Sequence, residues 1–301
     1  MVERIAQETK ISGTMNISAE QHIAGEPAAA AFFTVFGNPF LRKIAVKTIG
    51  TMFYQFFFRQ YRAALFPGRV PVTPVDHDLD AKIPFAPSWG AVYLDFVAFW
   101  IRALSFLFRA YGRRIYQKAG DFIETMGLLY AFAAEVYKKN FSTTRRPFYI
   151  ARPRFLLIHM VDPHLMCVPS LHVMVVIRTY TKFRAIVRDM GDEIRFAPQI
   201  AELKNGALAI SEAILFVKQH SVNCIAAAMY AMTCFMEDLF PEEEAEDFCS
   251  RLFVQSLPPD DGELVRRHII SLYREFLSGR DPSKNWGNPL INFLRRRWTA
   301  D

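Results

Sequence analysis

The stretch QHSVNCIAAAMYAMTCFM, residues 219–236, runs for 18 positions without a formally charged side chain. That just reaches the length a helix needs to cross a bilayer. Its reading decides between two architectures: a membrane bundle with a polar interior, or an apolar soluble helical domain. The other long apolar stretches leave both open. VYLDFVAFWIRALSFLFRAYG (92–112) and DFIETMGLLYAFAAEVYKKN (121–140) read as helices, yet they carry Asp95, Arg102, Glu124 and Glu135. Lys47 and Glu212 interrupt two further candidates. Each charge is costly against lipid unless it faces a bundle interior or a wet cavity.

Working outward, the chain has 301 residues, half of them hydrophobic, with 28 Phe and a net charge of +6. This is too apolar for a disordered chain. The cations punctuate apolar segments, as in Arg42, Lys43 and Lys47, or Arg295, Arg296 and Arg297, and do not form one nucleic-acid patch. Basic clusters at the ends of apolar helices suit an anionic membrane surface. The expectation is therefore an integral, multi-pass membrane protein with no nucleic-acid partner. Cys167, Cys224, Cys234 and Cys249 form no CxxC pair and lie in or near apolar runs, which favours buried free thiols over zinc or disulfides. The polar start, MVERIAQETK, lacks the apolar region of a signal peptide.

Three segments follow. Residues 1–28 read as a polar arm, 29–239 as a helical core and 240–301 as an amphipathic helical appendage able to bind a protein partner. Within the core, FYQFFF (53–58) centres a Phe- and Ala-rich stretch, and residues 66–87, with five prolines, read as a loop. Apolar helices are expected near 154–162, 168–184, 200–217 and 218–237. Asp260, Asp261 and Gly262 mark a helix start, and Gly279 a stop. The fold class is all-α: a bundle of about six core helices, membrane-embedded, with the C-terminal helical segment attached.

Chemistry concentrates between residues 139 and 220. Lys139 is followed after six residues by Arg146-Pro147; Pro169-Ser170-Leu171-His172 comes next; then Lys218-Gln219-His220. Cations can hold phosphate oxygens, one imidazole can attack phosphorus and another can protonate the leaving oxygen. In order and spacing these motifs resemble the type 2 phosphatidic acid phosphatase superfamily. The Leu-containing second motif is similar to the branch of inositol-phospholipid and sphingolipid phosphotransferases. The segment from Asp80 to Pro87, followed by Val92-Tyr93, resembles the loop before that branch's second helix.

The resemblance, which covers roughly residues 45–237, implies a lipid-phosphate phosphatase or phosphotransferase. His220 would be the nucleophile forming a phosphohistidine, and His172 the general acid. Lys139, Arg146, Ser170 and the backbone at Leu171 would cradle the phosphate, with Lys218 as an added contact. Such a site needs no metal or cofactor, and its partner would be a phospholipid or another phosphorylated lipid in a membrane. One departure stands out. Family members carry an Asp four residues after the nucleophile to orient its ring, and here that residue is Cys224. Asn223, on roughly the same helical face, is a substitute orienting group. The alternative is a catalytically impaired member that binds a phospholipid or acts as a membrane interaction protein. His159, His164 and Asp162 match no family position.

Overall fold

The computed structural model describes residues 21–147, 149, 155 and 162–298. The expected helix near 154–162 and His159 lie outside the described residues. The fold is all-α, with one two-stranded sheet.

Two adjacent helices open it, α1 (Ala28–Gly37) and α2 (Pro39–Met52). Their junction is set locally: the Asn38 side chain accepts the Leu41 N–H at 3.0 Å, and Pro39 takes the first helical position. A π-helical turn, Phe53–Phe58, continues into α3 (Arg59–Leu65). The Pro-rich loop contains strand β1 (Val72–Pro74) and then α4 (Gly90–Leu94). Next come α5 (Phe96–Tyr111) and α6 (Tyr116–Tyr137), separated by Gly112 at φ 56°. Only glycine adopts that conformation without strain. Strand β2 (Phe141–Thr143) pairs in parallel with β1, Val72 opposite Phe141.

The centre of the molecule is α7 (Leu171–Asp189), packed on α5, α6, α8 (Ala197–Phe216) and α9 (Val222–Phe235). Helix α9 is the undecided stretch of the sequence. It is 14 residues long, and every position from Val222 to Met232 is buried inside the protein. It is a core helix, not a span, and it begins two residues after His220, not at Gln219. One helical stretch, Pro87–Tyr137, is long and apolar enough to cross a membrane by length and composition, and half of its most apolar window is buried in the protein. The structure thus offers one such stretch among the described residues, not the several that a multi-pass protein needs. The charges that interrupt the apolar helices have protein partners. Arg102 donates to Asp95 at 2.9 Å, Lys47 to Glu124 at 2.8 Å, and the Glu212 carboxylate accepts the Phe253 N–H at 2.6 Å.

Both ends of the described residues are tied to this centre. The Ile23 and Ala24 N–H groups donate to Glu202 at 2.9 and 2.7 Å, so the residues before α1 are pinned to α8. Beyond residue 240 come α10 (Glu242–Arg251), α11 (Pro259–Ser278) and α12 (Asn288–Trp298), and α11 starts and stops where its sequence signals indicate. Helix α11 packs along α9, with Thr233 and Tyr273 hydroxyls 3.0 Å apart, and the Tyr230 hydroxyl donates to the Trp286 carbonyl at 2.7 Å. The expected appendage shares the core of the bundle.

Candidate active site

The site forms where the N-terminal ends of α7 and α9 meet the loop after β2. Ser170 is the N-cap of α7 but makes no side-chain capping bond. Its hydroxyl is 3.4 Å from His220 Nε2 instead. His172 lies in the first turn of α7, with its ring stacked on Tyr93 at 4.7 Å and tilted against Phe96 at 4.3 Å. His220 meets it edge-on, ring centroids 5.4 Å apart at 71°. At that separation the rings touch, so a phosphoryl group between them requires them to part.

Arg146 completes this group. It donates to the Gln219 side-chain oxygen at 3.1 Å and to the Asp162 carbonyl at 3.2 Å, which holds the guanidinium beside the residue before His220. The structure therefore brings together Arg146, Ser170, Leu171, His172 and His220. The partial positive charge at the start of a 19-residue helix adds to Arg146 in favouring an anion.

Electrostatics follow from burial. Burial pushes His172 down to about 4, against the pull of the Asp162 charge. Burial, then the neighbouring His172 and His164 rings, holds His220 well below the ordinary histidine value. Both rings are neutral near pH 7, as a nitrogen nucleophile must be. His220 Nδ1 has no hydrogen-bond partner among the described residues.

The other expected members make no contact with these groups among the described residues. Lys139 is exposed in the turn after α6, and its ammonium makes no hydrogen bond or ion pair among the described residues. The Lys218 ammonium donates to the carbonyls of Asp80, at 2.6 Å, and Ile83. It fastens the 80–83 turn to the third motif and does not face the phosphate cradle. Neither proposed orienting group reaches His220. The Cys224 thiol accepts the Ser221 N–H at 3.4 Å, and burial raises it to a very weak acid. The Asn223 amide donates to the Val75 carbonyl at 3.0 Å, and its oxygen is 2.8 Å from His268 Nε2. The reason is local: Ser221 caps α9, so His220 lies outside the helix and position 224 is not one turn along its face.

Sequence reading missed a second histidine network. His164 is buried with its ring 6.5 Å from His220. Its Nε2 is 2.7 Å from the Thr144 hydroxyl, and its backbone N–H donates to the Asp162 carboxylate at 2.9 Å. Burial would raise Asp162, but the His164 hydrogen bonds and the Arg146 charge outweigh it and hold the carboxyl at about 2. Burial also lowers His164. The signal was the Asp-Pro-His order at 162–164, whose Asp side chain closes a local turn on the His N–H. The 80–93 loop is stitched to the same place: the Asp80 carboxylate accepts the Val222 N–H at 2.9 Å, Ala86 N–H donates to the Phe216 carbonyl at 2.9 Å, and Tyr93 backs His172.

No family model, curated protein or solved structure matches this chain.

Proposed function

We propose that this protein transfers a phosphoryl group from a phosphorylated lipid through His220. The observation that carries the reading is the meeting of His172 and His220, distant in sequence, edge to face beside Ser170 and Arg146. In the step, the His220 Nε2 lone pair forms a bond to phosphorus while the bond from phosphorus to the lipid alcohol oxygen breaks. His172 gives its proton to that oxygen. Water, or an alcohol, then attacks the phosphohistidine and gives its proton to the now neutral His172, and the phosphorus–nitrogen bond breaks with the electron pair returning to Nε2.

The chain's own groups support each part. Arg146 and the start of α7 neutralise charge on the phosphate oxygens. A bound phosphate dianion also raises His172, so the ring that is neutral in the empty site takes up a proton when substrate arrives. Aromatic stacking by Tyr93 and Phe96 keeps that ring in one orientation.

The test is phosphate release from phosphatidic acid in detergent micelles and from an aryl phosphate. Wild type is expected to turn over, and His220→Ala to fall to background. Equal release from both overturns the proposal. A second reading, phospholipid binding without turnover, is favoured by His220 Nδ1, to which no carboxylate is hydrogen-bonded among the described residues to stabilise the imidazolium of a phosphohistidine. Phosphatidic acid bound by a wild type that releases no phosphate and traps no acid-labile phosphoenzyme establishes that reading instead.

A further inference from the structure

Residues 27–75 contain no Asp or Glu and six Lys or Arg. They build α1, α2, the π-helical turn and α3. The inner side of this layer is fixed: α1 packs on α5 and α2 on α6. The α2–α6 approach is close, because a Cβ added at Gly127 would lie 3.3 Å from the Thr48 Cα and one at Gly120 would lie 2.9 Å from Ile44 Cδ1. The outer side is therefore not waiting for a partner within the described fold. An outer helix face is normally polar, yet this one shows Phe33 at 80%, Phe53 at 60% and Leu65 at 73% exposure, with Phe32, Tyr54 and Phe58 also exposed. No residue of the π-helical turn is buried. Its rings stack on one another along the surface, Tyr54 on Phe58 at 5.5 Å and Phe53 on Phe57 at 6.3 Å.

Two openings lie on this layer. One, of about 220 Å³ between α1, α2 and α5, is lined by apolar side chains and Thr48 alone. The other, of about 340 Å³, lies between the π-helical turn, α3 and the end of α6. Arg59, Arg62, Arg69 and Lys138 line it, with no acidic residue. Its inner wall includes Tyr137, whose hydroxyl donates to the Pro169 carbonyl at 2.6 Å, next to Ser170.

We propose that this layer is a membrane-docking face that sits in one leaflet of an anionic bilayer, its aromatic side chains among the acyl chains and the Arg59–Arg62–Arg69–Lys138 cavity holding a lipid headgroup phosphate. The charge argument selects the occupant. Apolar contact alone would suit a second copy of the chain, but two copies of a face with cations and no acids in its own sequence repel, whereas an anionic leaflet attracts it. A monotopic face also suits a chain that is half hydrophobic yet has, among the described residues, one stretch of spanning length. The inference stands apart from the catalytic reading, since it needs no turnover.

The experiment is co-sedimentation of the full chain with phosphatidylcholine vesicles, with and without phosphatidylserine. Wild type is expected to pellet with the anionic vesicles and to be released by high salt. Arg59→Gln/Arg62→Gln/Arg69→Gln is expected to lose roughly 100-fold in affinity for phosphatidylserine vesicles. Phe33→Glu/Phe53→Glu, at exposed positions, is expected to stay in the supernatant while melting as wild type does. Wild type that ignores both vesicle types overturns the proposal. So does a Phe33→Glu/Phe53→Glu protein that binds as well as wild type, or a self-association that this variant abolishes in the absence of vesicle binding. Phosphate release is not the readout, so failure here is distinct from failure of the catalytic proposal.

Discussion

Two apolar regions of this chain have opposite fates. Helix α9, with its run of Ala, Met and Cys, is buried on all sides by α7, α6, α10 and α11. The FYQFFF turn is at least as apolar, and none of its residues is buried. Hydropathy does not separate them. What does is side-chain size and neighbours: Ala226, Ala227, Ala228 and Ala231 let other helices approach α9 from every direction, while six consecutive large side chains project too far all round to be covered from more than one side. The comparison teaches that an uncharged stretch of spanning length can be the inside of a protein, and a shorter aromatic one part of its exposed surface.

The comparison breaks most decisively at its buried half. Ile225→Asp puts an unpaired charge at the middle of the bundle, a change that costs more than about 4 kcal/mol. It is expected to abolish the cooperative transition followed by circular dichroism. A variant with a near-normal melt would show that α9 is not the core.

Cys224→Asp is the next in size. The position is fully buried, its thiol engages the Ser221 N–H, and it does not face His220. Placing a carboxylate there is therefore expected to cost roughly 2–4 kcal/mol in urea unfolding and to leave phosphate release per folded molecule unchanged. A rise in rate would show that residue 224 can reach the ring.

The site gives a pH signature. His172 and His268 are near 4 in the fold, each pushed down first by burial, against 6.5 unfolded. The unfolded chain thus binds more protons between these values, and stability falls as pH drops from about 6.5 to 4. Asp162, held at about 2 against 3.8, adds a further loss below about 4. His172→Gln is expected to flatten the upper part of a plot of melting temperature against pH. An unchanged slope would mean that His172 titrates normally.

At the exposed half, Phe53→Ser is expected to change stability by less than about 0.5 kcal/mol. A loss several times larger would show that the aromatic turn packs within the fold and is not a docking face.

Much of the fold was legible in periodicity. The helices of 92–112, 121–140, 168–184 and 200–217 appear within a few residues of where their apolar spacing implies, and Asp260, Asp261 and Gly279 bracket α11 as sequence signals should. The candidate site was half legible. Arg146, Ser170 and His172 carry side-chain types whose chemistry is local, and they meet. Lys218 and Asn223 bond away from His220 because a cation or an amide is drawn to whichever carbonyl the fold brings near, here those of Asp80, Ile83 and Val75. His164 was passed over because its importance lies in being 6.5 Å from His220, a distance across 56 residues that no local pattern encodes.

The sequence by itself determined the helical class, the start and stop of α11, the cation-rich and acid-free stretch and the order of the chemical motifs. These depend on interactions within a few residues. Only the tertiary structure decided that 219–236 is core, that 240–298 completes the bundle, that His220 sits outside the helix that follows it, and that the aromatic layer faces outward. Those outcomes depend on which surfaces remain after all helices have packed, and burial is a property of neighbours, not of the residue that is buried.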